Sequence, residues 1–484
     1  MSDRICSAAF RRCALVLGTD GEFSPELRLT GSVGQVKPTL SADGKEASFD
    51  FASGFNSRPI PSGEWVVSGA ICDDLFTIDA DFSGDGTVYQ IKVWAENGSL
   101  QVKVDYAPRK ESFKERVSDL LMQGIYLLGR AARFGRPRVI FTSESRRDPS
   151  GNMAFVLDAA KKLGIDNRAP LIFSFNKGGS RALFYALTAF KLGRCDTVVI
   201  DDYYPLIYHL KFSKDTRIFQ LWHACGAYKT TGYSRAGKQG APRIDGNSHR
   251  CYTHAIVSSP AVRAHYAEAF GIPLEKVYAT GVPRTDIFFD SEYAERQKSE
   301  LLKLLPQAAD KQIILFAPTF RGDGKQSAHY PTEALDLGRL AEFCRQTGRF
   351  VIFKMHPFVK GFSLPEGYED VFADLQDMRE INDLLFCADL LITDYSSVIY
   401  EAALLDLDIL LYVFDLEEYI ASRDFYEPFE RYVAGKAVDD FDGLIEALRE
   451  GDFDAKRRAE FRRYSMDSCD SHASERVARM IFGE

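Results

Sequence analysis

The sequence lacks most of the features that would settle its class at once. It has no run of about 18 consecutive apolar residues, so no segment is expected to span a bilayer. Its nine cysteines stand at 6, 13, 72, 195, 225, 251, 344, 387 and 469, an odd number with no CxxC pair. That pattern reads as free thiols in a reducing compartment and offers no zinc framework. GxGxxG, GxSxG and P-loop signatures are missing, and no His, Cys and Asp spacing fits a metal site. An excess of positive charge is missing too: 60 Lys and Arg face 69 Asp and Glu, a net −9. A general nucleic-acid binder needs a basic face. No metal, no cofactor and no nucleic-acid partner are therefore expected. The opening MSDRICSAAFRRCALVLG has no apolar core followed by a cleavage site and is not expected to act as a signal peptide.

What is present is an ordinary globular mixture. The 484 residues are 45% hydrophobic and 27% charged, too long for one core and suited to two or three domains. Residues 1–107 read as an all-β, sandwich-like module. Val88–Trp94 and Leu100–Tyr106 alternate apolar and polar about Glu96-Asn97-Gly98-Ser99. Asn-Gly is the strongest short hairpin signal because both residues tolerate positive φ. Shorter runs at Cys13–Leu17, Ala47–Phe51, Trp65–Ile71 and Leu75–Phe82 are cut by Gly, Pro, Asp and Ser. No catalytic constellation is visible there.

Residues 108–137 read as a basic linker helix. Between 109 and 138 eight Lys and Arg face three acids, and Phe113, Val117, Leu120, Leu121, Leu128 and Ala132 fall near helical spacing. Such a helix can lie on an anionic membrane; a helix packed between domains carries the same pattern.

From Arg138 onward short apolar strands alternate with helical segments, as in parallel sheets covered on both faces. The first expected set is Val139–Thr142, Leu171–Phe175, Thr197–Asp201, Ile218–Trp222, Ala255–Ser258 and Val277–Thr280. The second is Ile313–Ala317, Val351–Met355, Leu390–Thr393 and Ile409–Val413. With a boundary helix at 291–305, the expectation is two Rossmann-like domains facing a cleft, 138–300 and 301–484, the second including the C-terminal helix. In such folds ligands sit beyond the carboxyl ends of the strands.

Four strand ends carry chemistry: LWHACG with His223, FAPTFRG with Thr319 and Arg321, FKMHP with Lys354 and His356, and LITDYSSVIYE with Asp394, Ser396, Ser397 and Glu401. Histidine suits proton abstraction near neutral pH, though each alone could be a satisfied, half-buried imidazole. Asp394, Ser396 or Ser397 can cap a helix near Val398, whose free N–H groups form an anion site; the same residues could simply be a good cap. Arg321 has the fork geometry that suits phosphate, or could be a surface ion pair.

Over residues 139–435 the chain resembles the CDP-glycerol glycerophosphotransferase family, the teichoic acid primases and polymerases. The matching blocks are LWHACG with YKTTGYS, VSSPAVRAHYAEAFGIP, ATGVPRTDIFF, ILFAPTFRG, FKMHP and INDLLFCADLLITDYSSVIYEAALLD. The resemblance implies a GT-B arrangement and transfer of a polyol phosphate from a CDP-polyol to an acceptor hydroxyl, releasing CMP. It implies His223 as base. His356, Thr319, Arg321, Lys354, Asp394, Ser396 and Ser397 would then surround the diphosphate, with Glu401 towards the ribose and protonated His356 or Arg321 neutralising the departing CMP. The implied acceptor is a lipid-linked saccharide or a teichoic or capsular polymer. That would put the protein peripherally on the cytoplasmic face of the membrane, with 109–138 as the attachment. Glycerol versus ribitol, and priming versus polymerisation, stay open. A nucleotide-sugar transferase or epimerase, and a non-catalytic carbohydrate-binding protein, are the other functions this chain could serve.

Overall fold

The structure is a computed structural model that describes residues 3–483 apart from 57, 74–75, 84–85, 136, 239–240, 323–325, 379 and 423–424. Leu75, at the start of one expected strand, and Arg136 of the basic segment lie outside the described residues.

Residues 3–107 form two antiparallel sheets over one core, with a two-residue parallel pairing of Asp3–Arg4 and Ala70–Ile71 beside them. The larger runs Thr77–Asp81, Val88–Glu96, Ser99–Ala107, Gly63–Ser68, Arg28–Gly31, Gly34–Val36 in spatial order. The smaller runs Ser7–Arg11, Ala14–Gly18, Glu46–Asp50, Thr39–Leu40. Alternation sets the facing: Tyr89, Ile91 and Val93 are buried with Val102 and Val104 opposite, and Leu15, Leu17 and Phe49 close the core from the other sheet. Asn97 at φ 51° and Gly98 at φ 75° make the expected two-residue turn, with Glu96 paired to Ser99.

Helix α1 (Phe113–Ala131) opens on a capping box: Ser112 Oγ accepts from the Glu115 N–H and Glu115 Oε2 accepts from the Ser112 N–H. The structure then departs from a helix sheathed between domains. One face, with Tyr126 and Gly129, packs on a later helix, Arg181–Gly193 (α3 below). A Cβ at Gly129 would lie 2.0 Å from the Phe190 carbonyl and one at Gly193 2.1 Å from that of Tyr126, so the two backbones touch. The apolar stripe marked in the sequence points the other way: Phe113, Leu120 and Leu128 are 83%, 73% and 65% exposed.

Beyond α1 lie two six-stranded parallel sheets. The first contains β1 (Val139–Ser143), β2 (Leu171–Phe175), β3 (Thr197–Ile200), β4 (Arg217–Gln220), β5 (His254–Ile256) and β6 (Val277–Tyr278), in the order 2-1-3-4-5-6. Helices α2 (Asn152–Lys162) and α3 (Arg181–Gly193) follow β1 and β2. The second sheet contains β7 (Gln312–Phe316), β8 (Arg349–Phe353), β9 (Phe372–Asp374), β10 (Leu390–Thr393), β11 (Asp408–Tyr412) and β12 (Lys436–Val438), in the order 9-8-7-10-11-12. That is the doubly wound order of a Rossmann unit. Helix α4 (Val398–Leu404) follows β10, and α5 (Ala473–Phe482) ends the described chain.

Every expected strand of these sheets is present with ends shifted by two residues or fewer; β9 and β12, both at sheet edges, were not expected. One packing relation differs from sequence order. α5 covers the first sheet, burying Val477, Ile481 and Phe482 with Phe141, Met153 and Val156, while Arg217 holds its Met480 and Ile481 carbonyls at 2.8 and 2.7 Å. The last helix thus belongs by packing to the first unit. Ser258 Oγ donating to the Ser465 carbonyl and Tyr432 OH donating to that of Ala227 join the units further.

Candidate active site

After β4 the chain turns sharply. Trp222 sits at φ 53°, a left-handed conformation that a bulky residue adopts only under constraint. Its N–H donates to Gln220 Oε1 at 2.8 Å and its carbonyl accepts from Asn152 Nδ2. The turn delivers His223 to the surface, with its ring 4.5 Å from that of Trp222. His223 Nδ1 lies 3.6 Å from Asp202 Oδ1. Burial pushes the imidazole below its usual pKa and Arg284 and Arg146 add to this, while the Asp202 carboxylate pulls it up. The ring is therefore neutral at neutral pH, the state a base needs. Asp202 in turn accepts from Ser145 Oγ, and beside it buried Asp201, ion-paired to Arg146 at 2.7 Å, is pushed up to about 6 by desolvation.

In the second unit the expected residues gather at the carboxyl ends of β7, β8 and β10, but they do different things. His356 is half-buried, packed by Phe320 and Phe358 with centroids 4.7 Å away, and its Nδ1 accepts from the Phe358 N–H at 3.2 Å. Desolvation, then Lys354 and Lys229, lower its pKa in the unliganded protein. Ser397 is exposed at the start of α4, and Ser396 Oγ accepts from the Val398 N–H at 3.4 Å. α4 has only seven residues, so its dipole is small and the side chains must supply most of any anion affinity.

Four of the expected residues are turned inward. Arg321 does not face solvent: it grips Asp415 with Nε and Nη2 at 2.6 and 2.9 Å and gives Nη1 to Asp394 and the Thr319 carbonyl. Four of its five N–H donors are thus used internally. Asp394 is 1% exposed and holds the Thr319 and Tyr395 N–H groups, tying two strand-end loops together instead of capping α4. Burial raises its pKa against the pull of Arg321. Glu401 is turned to the first unit, where Arg284 Nη2 donates to it at 2.6 Å, and is not open to a ribose. Lys354 is likewise buried, donating to the Gln376 carbonyl at 2.9 Å.

Sequence reasoning missed Lys229, six residues beyond His223. It crosses to the second unit, where its backbone bridges to Phe425 and its Nζ lies 5.3 Å from the Tyr419 ring, which stacks on Tyr395 at 3.9 Å. It is near enough to His356 to depress that ring. The segment 223–229 therefore runs from the strand ends of one sheet to those of the other.

Residues 125–483 match the family described as CDP-Glycerol:Poly(glycerophosphate) glycerophosphotransferase. The chain belongs to that family. The teichoic acid ribitol-phosphate polymerase TarL of Staphylococcus aureus is 44% identical over 349 residues, covering 71% of this chain and 62% of TarL. TarK, a teichoic acid ribitol-phosphate polymerase of the same organism, is 43% identical over 378 residues, covering 77% and 73%. The chain thus spans less than two thirds of TarL. The solved structure of the wall teichoic acid polymerase TagF has the same fold, with a TM-score of 0.59 at 19% identity over 76% of this chain and 94% of that one.

Proposed function

We propose that this protein is a GT-B-like transferase that moves a polyol phosphate from a CDP-polyol to a hydroxyl of a teichoic acid or related polymer acceptor. The ribitol-phosphate relatives favour CDP-ribitol as the donor. The acceptor oxygen attacks the distal phosphorus, its proton passes to His223, and the P–O bond to CMP breaks. The observation that carries this reading is the 223–229 segment. Six residues of chain span no more than about 22 Å, and they put a neutral, carboxylate-flanked imidazole at one end and a lysine among the second unit's His356 and Tyr395 loops at the other. His356, Ser396, Ser397 and Lys229 would hold the diphosphate. Thr319, Arg321, Lys354 and Asp394 would shape that pocket, and Glu401 would link the units through Arg284. Catalysis would then be positioning and charge stabilisation.

The domain division that goes with this reading is a β-module at 1–107, a helix at 108–137 and units at 138–300 and 301–484, with α5 returning to the first. No helix among the described residues is long and apolar enough to cross a membrane. The exposed stripe of α1, flanked by Lys114 and Arg116, supports peripheral attachment to an anionic lipid surface, which would bring a lipid-linked acceptor to the first unit.

The test is CMP release. CDP-ribitol with a polyol-phosphate acceptor should turn over, CDP-glycerol more slowly, and UDP- or GDP-sugars not at all. Turnover of a nucleotide sugar in place of both CDP-polyols would replace this function with that of a sugar transferase.

A further inference from the structure

A cavity of about 290 Å³ shares the Trp222 wall with the His223 ring. It is lined by Tyr203, Trp222 and His249, whose rings pack together, and by Thr231, Arg235 and Pro242 of a second segment. The ring cluster is built at the cost of the left-handed Trp222 backbone, and strain of that kind collects at functional sites. The second segment is the one after LWHACG. It presses against the first unit at Gly232, where a Cβ would lie 1.9 Å from the Ala269 carbonyl. Its outer surface is embedded in the N-terminal module: Tyr233, Ala236 and Ile244 are part of that module's core, and Arg58 donates to Asn247 Oδ1 at 2.7 Å. The β-module therefore holds up one wall of a cavity lined by Trp222, the residue before His223.

The lining is specific in its chemistry. Tyr203, 46% exposed, and Trp222 offer aromatic faces suited to the C–H surface of a polyol. Arg235 supplies a fixed positive charge suited to a phosphodiester, and Thr231 a hydroxyl. The donor's diphosphate is accounted for across the interface, at the strand ends of the second unit.

We propose that this cavity is an acceptor subsite that takes the terminal polyol-phosphate unit of a growing chain, with its phosphodiester at Arg235, its carbon chain on Tyr203 and Trp222, and its free hydroxyl towards His223. The assignment rests on the transferase reading above and sharpens it by giving the acceptor a place in the fold.

Calorimetry on the full chain with a synthetic oligomer of three ribitol phosphates, and no donor, tests the cavity without turnover. The wild type should bind, and Arg235→Gln should weaken binding about 10- to 100-fold, the loss of one charge-assisted hydrogen bond. Tyr203→Ala, at an exposed side chain, should weaken it about 3- to 10-fold through lost aromatic contact. In turnover, Arg235→Gln should raise the oligomer KM by the same factor and move the CDP-ribitol KM less than about twofold. No oligomer binding by the wild type, equal affinity in all three proteins, or a rise confined to the donor KM would overturn the assignment. Arg235-dependent binding without CMP release from any CDP-polyol would uphold the cavity and count against the transferase reading.

Discussion

Arg321 is buried between Asp394 and Asp415, and its guanidinium lies 5.1 and 5.2 Å from the Tyr395 and Tyr419 rings. Removing one member of such a set leaves uncompensated buried charge, at a cost of about 3–5 kcal/mol. Arg321→Met should therefore lower the unfolding free energy measured by urea titration by about that much, and a loss below about 1 kcal/mol would show the triad to be dispensable. Histidine sets a second expectation. Burial holds His249, 3% exposed, down to about 3, and His254, stacked between Phe219 and Tyr278, down to about 4. Both pKa values lie below the unfolded value near 6.5. Their stabilising effect is complete above that pH and is lost as pH falls, because the unfolded chain takes up the protons first. Each imidazole contributes a slope of about 1.4 kcal/mol per pH unit. Urea midpoints should drop between pH 7 and pH 5; level stability would contradict neutral buried rings. At this scale the sequence was partly legible. Inspecting strand ends located His223 and His356, and the same rule applied to β3 reaches Asp202. Asp415, three residues past the end of β11, is reached by the same rule, whereas Lys229 is not, because its partners are set by packing between distant segments.

Among the elements, the parallel strands were the most legible, since continuous apolar runs of four or five residues have few other homes. β9 and β12 escaped because three-residue edge strands, partly exposed, carry no apolar run. Helix α1 shows a different limit: spacing located its apolar stripe but not which way the stripe points. That direction is decided by Gly129 and Gly193, whose close approach spends the opposite face on α3. Not every base of the segment is available to a lipid surface, because Arg133 pairs with Asp196 and Arg130 donates to Ser213. The apolar stripe is therefore the part to alter. Wild-type protein should co-sediment with anionic liposomes at low salt, and a Phe113→Glu, Leu120→Glu, Leu128→Glu variant should stay in the supernatant. Equal pelleting of the two would mean that α1 is not the attachment.

At the scale of the whole molecule, the chain between 223 and 229 links the two sheets, and in the proposed mechanism one would supply the base and the other the phosphate-facing set. Arg284 reinforces the link: Asn152 Oδ1 accepts from its N–H, and its side chain reaches Glu401 on α4. The two-unit architecture was legible from strand counting, whereas the return of α5 to the first sheet was not, since sequence order carries no record of which sheet a final helix covers. As the proposed base, His223 with its lowered pKa should set the pH dependence of turnover. The base is active when neutral, so turnover should rise with pH through a midpoint below about 6.5 and level off above it. The most direct measurement is the His223→Ala variant assayed for CMP release from CDP-ribitol and, by calorimetry, for donor binding. Turnover should fall about 10²- to 10⁴-fold and lose its acid limb, while donor affinity stays within about twofold. Near-normal turnover, or an equal collapse of donor binding, would contradict His223 as the base.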